Sequence, residues 1–268
     1  MSIPQASSIT HQHIAAAVAT EMKGRHAFSV VDVGCGDGAL MRYLLSVLPE
    51  VTGAAVSVDG FDLSDYAPIG LSRPLAAGSK TVITGAPWPY PDRSVDVLVS
   101  NQVLEHVFDQ PFFFSQAARC LKSDGVSINL IPLKNVIYED HVGIPWAHRI
   151  PQAAWMRFMA RVGFFSPRRA NVLPDSEKEF GQRAVDFVKR YTIYVTSSQL
   201  RRDTKAAGLR MSFDYTPRFY AAKLRALRKR EPTFYYSKRR ILDRAASWLL
   251  RYVASITLVL RHDGDDKN

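Results

Sequence analysis

The stretch that most constrains this 268-residue chain is Asp32-Val33-Gly34-Cys35-Gly36-Asp37-Gly38, set between a β-branched run over 28–33 and helical apolar spacing over 39–48. Three glycines in five positions permit a turn with positive φ and let a ligand come close to the backbone. The helix that follows turns its unpaired N–H groups toward the same point. Such a turn predicts a strand, a tight loop and a helix, the first unit of an α/β fold.

The rest of the first half repeats that rhythm. Short β-branched runs predict strands over 54–61, 80–84, 95–100 and 126–131, and a helix over 110–121 lies between the last two. Apolar positions at Ile14, Val18 and Met22 predict a helix over 10–26, and Pro49 is expected to end the helix that begins at 39. Strands spaced too widely for hairpins imply right-handed crossovers and a mostly parallel sheet. The rhythm breaks over 133–195, a His- and Pro-rich loop with helices near 155–162 and 177–191. It resumes with a helix over 197–207, a strand over 209–215, two helices over 217–253 and a final strand over 255–261. We therefore expect a single domain over 1–268. It comprises a ligand-binding core at 27–132, an inserted cover at 133–195, and C-terminal helices and last strands at 196–268. With 47% hydrophobic residues the chain has the apolar mass for a core of that size.

Two carboxylates narrow the ligand. Asp32 precedes the first glycine by two residues and suits a cationic or amine-bearing group better than a pyrophosphate, although Gly34, Gly36 and Ala39 also satisfy the dinucleotide spacing. Asp62, followed by Leu63 at the next strand end, is placed to accept both hydroxyls of a ribose, or else to cap a helix. The ligand implied is a nucleoside bearing a positive group.

With these residues in view, the sequence resembles the class I S-adenosylmethionine-dependent methyltransferases of the small-molecule or sugar type. The resemblance rests on VVDVGCGDG at 30–38, FDLS at 61–64, ITGAPWPYPDRSVDVLVSNQVLEHV at 82–107 and RCLKSDGVSINLIP at 119–132, with AAGLRMSF at 206–213 and SITLVLR at 255–261 adding less. It implies a Rossmann-like, doubly wound α/β fold with a mostly parallel seven-stranded sheet, its last strand antiparallel, and a helical insertion after the fifth strand. It also implies S-adenosylmethionine as cofactor. Asp32 and the Gly34, Gly36, Gly38 loop would hold the methionine part, Asp62 with Leu63 the ribose, and Asn101 with Gln102 the sulfonium end. Many members carry an acid after the third strand that meets the adenine; here Gly85 and Ala86 stand there, so their backbone atoms are expected to serve instead.

The acceptor side falls to the loop after the fifth strand, because loops at the carboxyl ends of strands face the ligand crevice. His141 and His148 lie in it and are the candidate catalytic bases, the rival reading being that they bind substrate or tie the loop down. His106 reads equally as a packed residue or a site residue. Glu139, Asp140 and His141 are adjacent and so are not expected to converge on one ion; no metal ligands are assigned. Cys35 and Cys120 are the only cysteines, with no metal-ligand spacing, and Cys35 reads as a turn residue.

Net charge is +10, yet residues 1–200 are balanced and 201–251 alone carry an excess of eleven positive charges. Its apolar positions recur at helical spacing, so the segment reads as sheet-covering helices, or as a surface for an anionic membrane or an anionic acceptor. Nucleic acid is not favoured. A membrane span is not expected, since the longest apolar stretch is short and holds Arg251; with no export signal, a cytoplasmic place is expected, with the inner membrane face as a docking surface. The function expected is O-methylation of a sugar, glycolipid or other small metabolite. The alternative is a non-catalytic membrane- or partner-binding protein with a degenerate cofactor pocket.

Overall fold

The computed structural model describes residues 8–65, 75–139, 141–164, 177–227 and 255–264. Nine strands and seven α-helices occur among them. Strands β1 (Ala27–Val33), β2 (Ala55–Leu63), β3 (Lys80–Val82), β4 (Val95–Asn101), β5 (Leu121–Ile131), β8 (Leu209–Ser212) and β9 (Ile256–His262) form one sheet in the order β3-β2-β1-β4-β5-β9-β8. The pairs β1/β2, β1/β4, β2/β3 and β4/β5 are parallel, and β9 runs antiparallel to both β5 and β8. This is the Rossmann-like, doubly wound sheet expected. Strand order reverses at β1, so the crevice for a ligand opens beyond the carboxyl ends of β1 and β4.

Helices cover both faces. On one face α1 (Ile9–Glu21), α2 (Ala39–Thr52) and α7 (Thr216–Leu227) pack Ile14, Val18, Leu44, Leu48 and Phe219 onto Val30, Val97 and Ile128. On the other, α3 (Gln110–Cys120) and α6 (Ser197–Ala206) set Phe113, Phe114 and Leu200 against Val31, Leu98 and Leu258. Alternate residues of each strand point to opposite faces, and both faces are buried, which is why these strands read as near-continuous apolar runs. Asp109 caps α3 by accepting from the Phe112 N–H at 2.9 Å, and Thr196 with Gln199 forms a capping box on α6.

Several boundaries differ from expectation. Helix α2 continues past Pro49 to Thr52 and ends at Gly53 in the left-handed region. Pro49 removes only the bond to the Leu45 carbonyl, and Leu45 is exposed, so water can take that acceptor. Strand β5 starts at Leu121, directly after α3: Leu121 pairs with Val95, and the register slips before Val97 meets Val126. Strand β8 stops at Ser212 and α7 begins at Thr216. The remainder of the helical stretch expected over 217–253, from 228 on, lies outside the described residues.

The segment after β5 forms a third apolar cluster of its own. A two-stranded hairpin, β6 (Tyr138–Glu139) with β7 (Ile144–Pro145), packs with α4 (Ala153–Met159) and α5 (Glu177–Tyr191) through Val142, Ile144, Met156, Phe180 and Val185. The short hairpin was not read from the sequence, because two residues per strand leave no alternation to detect.

Candidate active site

The glycine turn sits where β1 meets α2. Gly34 has φ +73°, and a Cβ there would lie 2.7 Å from Val103 Cγ2, so both conformation and space demand glycine. The Gly36 N–H donates to Asp62 Oδ2 at 2.7 Å, and the Leu63 N–H donates to Asp62 Oδ1 at 2.7 Å. Asp62 thereby ties the end of β2 to the loop, while each oxygen keeps a further lone pair for a ligand hydroxyl.

Asp32 is 2% exposed. Burial, reinforced by the negative charge of Asp62, pushes its carboxyl well above the ordinary carboxylate range. A group held this way gains most from a cationic partner. Burial, with the charge of Asp32 adding to it, also pushes the Cys35 thiol up to about 11, which suits a packed turn residue and not a nucleophile.

Beyond β3 the turn holding Gly85 (φ +81°) is closed by the Ala86 N–H donating to the Ile83 carbonyl at 3.0 Å. The Ala86 N–H is therefore already engaged within the turn. Asp65 was not singled out from the sequence. From the end of β2 it accepts from the Thr84 N–H at 3.0 Å and from the Thr84 hydroxyl at 3.1 Å, and the backbone bond is the main cause of its lowered pKa. The carboxylate missing after the third strand in sequence is thus supplied to the same turn in space.

At the end of β4, Gln102 adopts φ +58°, a conformation rare for a residue with a side chain and characteristic of ligand sites. Its N–H donates to the Leu130 carbonyl at 2.9 Å, and its side-chain amide donates to Ser255 Oγ at 2.9 Å. Asn101 Oδ1 is buried with no hydrogen-bond partner among the described residues. Both line a cavity of about 260 Å³ with Thr10, His141, Lys223 and Ser255.

His141 enters that cavity wall from the loop after β6. Its Nδ1–H donates to Glu139 Oε1 at 2.6 Å, the Tyr194 hydroxyl donates to the same oxygen, and the Val142 N–H donates to Oε2 at 2.8 Å. Glu139 is fully buried, which alone would raise its pKa, yet the hydrogen bond and charge of His141, with those donors, hold it below the ordinary range. His106, at the end of the short 3-10 turn Leu104–His106, donates Nδ1–H to the Tyr191 carbonyl at 2.6 Å and points Nε2 at His141 Nε2, 3.1 Å away. His148 meets this cluster through the Tyr194 ring, at 4.6 Å between centroids. Its Nε2–H donates to the Lys134 carbonyl at 2.8 Å, and burial lowers its pKa, which favours the neutral ring.

Comparison with known proteins names the family. The model of a family described as a methyltransferase domain matches residues 10–173, more than half of the chain. The chain belongs to that methyltransferase family. A Bacillus subtilis relative, provisionally named a 23S rRNA (guanine-N(1)-)-methyltransferase, is 26% identical over 216 residues, 76% of this chain and 71% of its own. A Mycobacterium tuberculosis relative, named a probable S-adenosylmethionine-dependent methyltransferase, is 33% identical over 100 residues, 37% of this chain and 34% of its own. Among solved structures, an S-adenosylmethionine-dependent methyltransferase from Mesorhizobium loti shares the fold with a TM-score of 0.50 at 14% identity, covering 95% of this chain and 100% of that one.

The methyltransferase uses S-adenosylmethionine. Fit to that cofactor can be tested on the residues present. Asp32 is a buried acid with no cationic partner among the described residues, Asp62 keeps lone pairs for ligand hydroxyls, and Asn101 Oδ1 is a buried acceptor with no partner among the described residues. All three observations suit it. Among the described residues no helix is long and apolar enough to cross a membrane.

Proposed function

We propose that the methyltransferase transfers its methyl group to a hydroxyl oxygen of a sugar, glycolipid or other small metabolite. Asp32, the glycine loop, Asp62 with Leu63, the Gly85–Ala86 turn and Asn101 with Gln102 hold the cofactor in this reading. The observation that carries the acceptor assignment is the Glu139–His141–His106 cluster beside the cavity. A neutral amine attacks a sulfonium methyl unaided, whereas a hydroxyl needs its proton drawn off. A carboxylate-oriented imidazole at the cavity wall is the equipment for that. S-adenosylmethionine supplies an electrophilic methyl on a good leaving group. The chain's own task is to align the acceptor oxygen with it and to manage the acceptor proton. His141 is the group that meets the acceptor, with Glu139 fixing its ring; His148 positions the loop. The basic excess over 201–251 guides an acceptor that carries phosphate or resides on an anionic membrane face.

His141→Ala is expected to leave S-adenosylhomocysteine affinity within about twofold and to lower methyl transfer about 10²-fold or more. Calorimetry and a labelled-methyl assay over hydroxyl acceptors check this; an equal loss of cofactor binding would put His141 on the cofactor side. A second reading, methylation of a guanine N1 in ribosomal RNA, is favoured by the coverage of the Bacillus relative and by the basic segment. Label appearing in added ribosomal RNA and in no hydroxyl acceptor selects it.

A further inference from the structure

We propose that Glu105, His106 and His141 bind one divalent transition-metal ion of the zinc class, at the acceptor wall of the cavity. The inference deepens the acceptor reading above, but the binding site stands on geometry alone. One donor atom of each residue lies within 4.8 Å of the others. The two rings fix the argument. A carbonyl and a carboxylate only accept, so the Nδ1 atoms bonded to the Tyr191 carbonyl and to Glu139 both carry hydrogen. In neutral rings the two Nε2 atoms are then both acceptors, and they face each other at 3.1 Å. Two lone pairs meeting head-on repel unless a cation lies between them.

Three features favour a metal ion over a shared proton. Metal-bound histidines characteristically donate their other ring N–H to a carboxylate or backbone carbonyl, and these two do one of each. Two imidazole nitrogens bound to zinc at 2.0–2.1 Å with tetrahedral geometry stand about 3.3–3.4 Å apart, close to the separation found. Glu105 is 2% exposed and brings a carboxylate oxygen to the same point, a third ligand atom that a metal ion would use and a proton shared between two rings would not. Imidazole donors select zinc-class ions over Mg²⁺. Three protein ligands leave a coordination position open, as in hydrolytic zinc sites, and His141 borders the cavity, so an acceptor oxygen is the natural fourth ligand. There the ion would hold the hydroxyl and lower its pKa; with His141 Nε2 then serving as a ligand and not as a base, the proton would leave to solvent through the cavity, with no redox change at the ion.

The test needs no acceptor. The full chain, stripped with a chelator and saturated with S-adenosylhomocysteine, is titrated with Zn²⁺, and with Co²⁺ as a visible-absorption probe. One equivalent per chain is expected, with Co²⁺ giving the intense visible bands of a low-coordinate site with nitrogen ligands. His141→Asn should weaken Zn²⁺ at least tenfold. Glu139→Gln, which removes no proposed ligand, should weaken it 10- to 100-fold through loss of ring orientation. Circular dichroism and retained S-adenosylhomocysteine binding certify the variants. No stoichiometric binding, or binding that both folded variants retain unchanged, overturns the site and leaves a shared proton between the rings. Stoichiometric zinc without methyl transfer to any hydroxyl acceptor upholds the metal site and overturns the acceptor reading instead.

Discussion

Asp32→Asn is expected to weaken S-adenosylhomocysteine binding by at least about 100-fold while raising the thermal stability of the unliganded protein. The carboxyl is 2% exposed, and burial with the neighbouring Asp62 charge raises its pKa well above the ordinary value. A methionine ammonium placed against it would supply the missing positive charge. Charge-assisted hydrogen bonds are worth about 1.5–3 kcal/mol each, and 100-fold in affinity is about 2.7 kcal/mol. The pH dependence has a definite sign. The free protein keeps a proton on Asp32 that the complex releases, so affinity rises with pH up to the raised pKa of the free form, and binding liberates a proton. For folding the same shift works the other way: the native state holds the proton more tightly than the unfolded chain, so Asp32 costs stability progressively as pH rises above the unfolded value. Asparagine removes that cost and the ligand's partner together, the trade expected of a site residue. Calorimetry in two buffers of different ionisation enthalpy, with thermal unfolding, reads all three quantities. Unchanged affinity would remove Asp32 from the cofactor site.

Acid should unfold this protein from pH 6.5 downward, well before most carboxylates titrate. His13 on α1 is fully buried, its Nε2 bonds Thr257 Oγ1 at 2.8 Å, and burial, aided by the Lys223 charge, lowers its pKa to about 3. The unfolded chain takes up a proton near 6.5 that the native ring refuses. Stability is therefore complete above pH 6.5 and lost as pH falls toward the native value. At 1.36 kcal/mol per pKa unit the full loss by pH 3 is about 5 kcal/mol, a large share of an ordinary domain's stability. His11 and His148 are lowered in the same sense, so the diagnostic is a difference. Urea unfolding of the wild type and of His13→Gln at pH 7 and pH 4.5 should show a clearly shallower pH dependence in the variant. Parallel slopes would mean that His13 takes up its proton as readily in the native state as in the unfolded chain.

The strands and helices of the core were legible because their rules are local. Period-two and period-3.6 apolar spacing marks β1, β4, α2 and α3 without reference to anything distant. The same spacing misplaced the start of β5, where a register slip against β4 has no signature in one strand, and it ended α2 early, where an exposed turn tolerates Pro49.

The division between sequence and tertiary structure follows the range of the interactions. Sequence alone determined the doubly wound architecture, the glycine turn, and the position of Asp32 and Asp62 at the ends of β1 and β2, because the turn and each acid lie within a few residues of an apolar run that marks its strand. Only the folded chain decided the acceptor wall. His106 meets His141 across 35 positions, Tyr194 reaches Glu139 across 55, and Gln102 reaches Ser255 across 153. Neighbouring residues such as Glu139 and His141 gave no metal set in sequence, and only the fold brings Glu105 and His106, from another strand's end, within 4.8 Å of His141. Hydrogen-bond direction and charge balance between groups so far apart depend on which strand ends the sheet order brings together, and no spacing along one chain segment encodes that order.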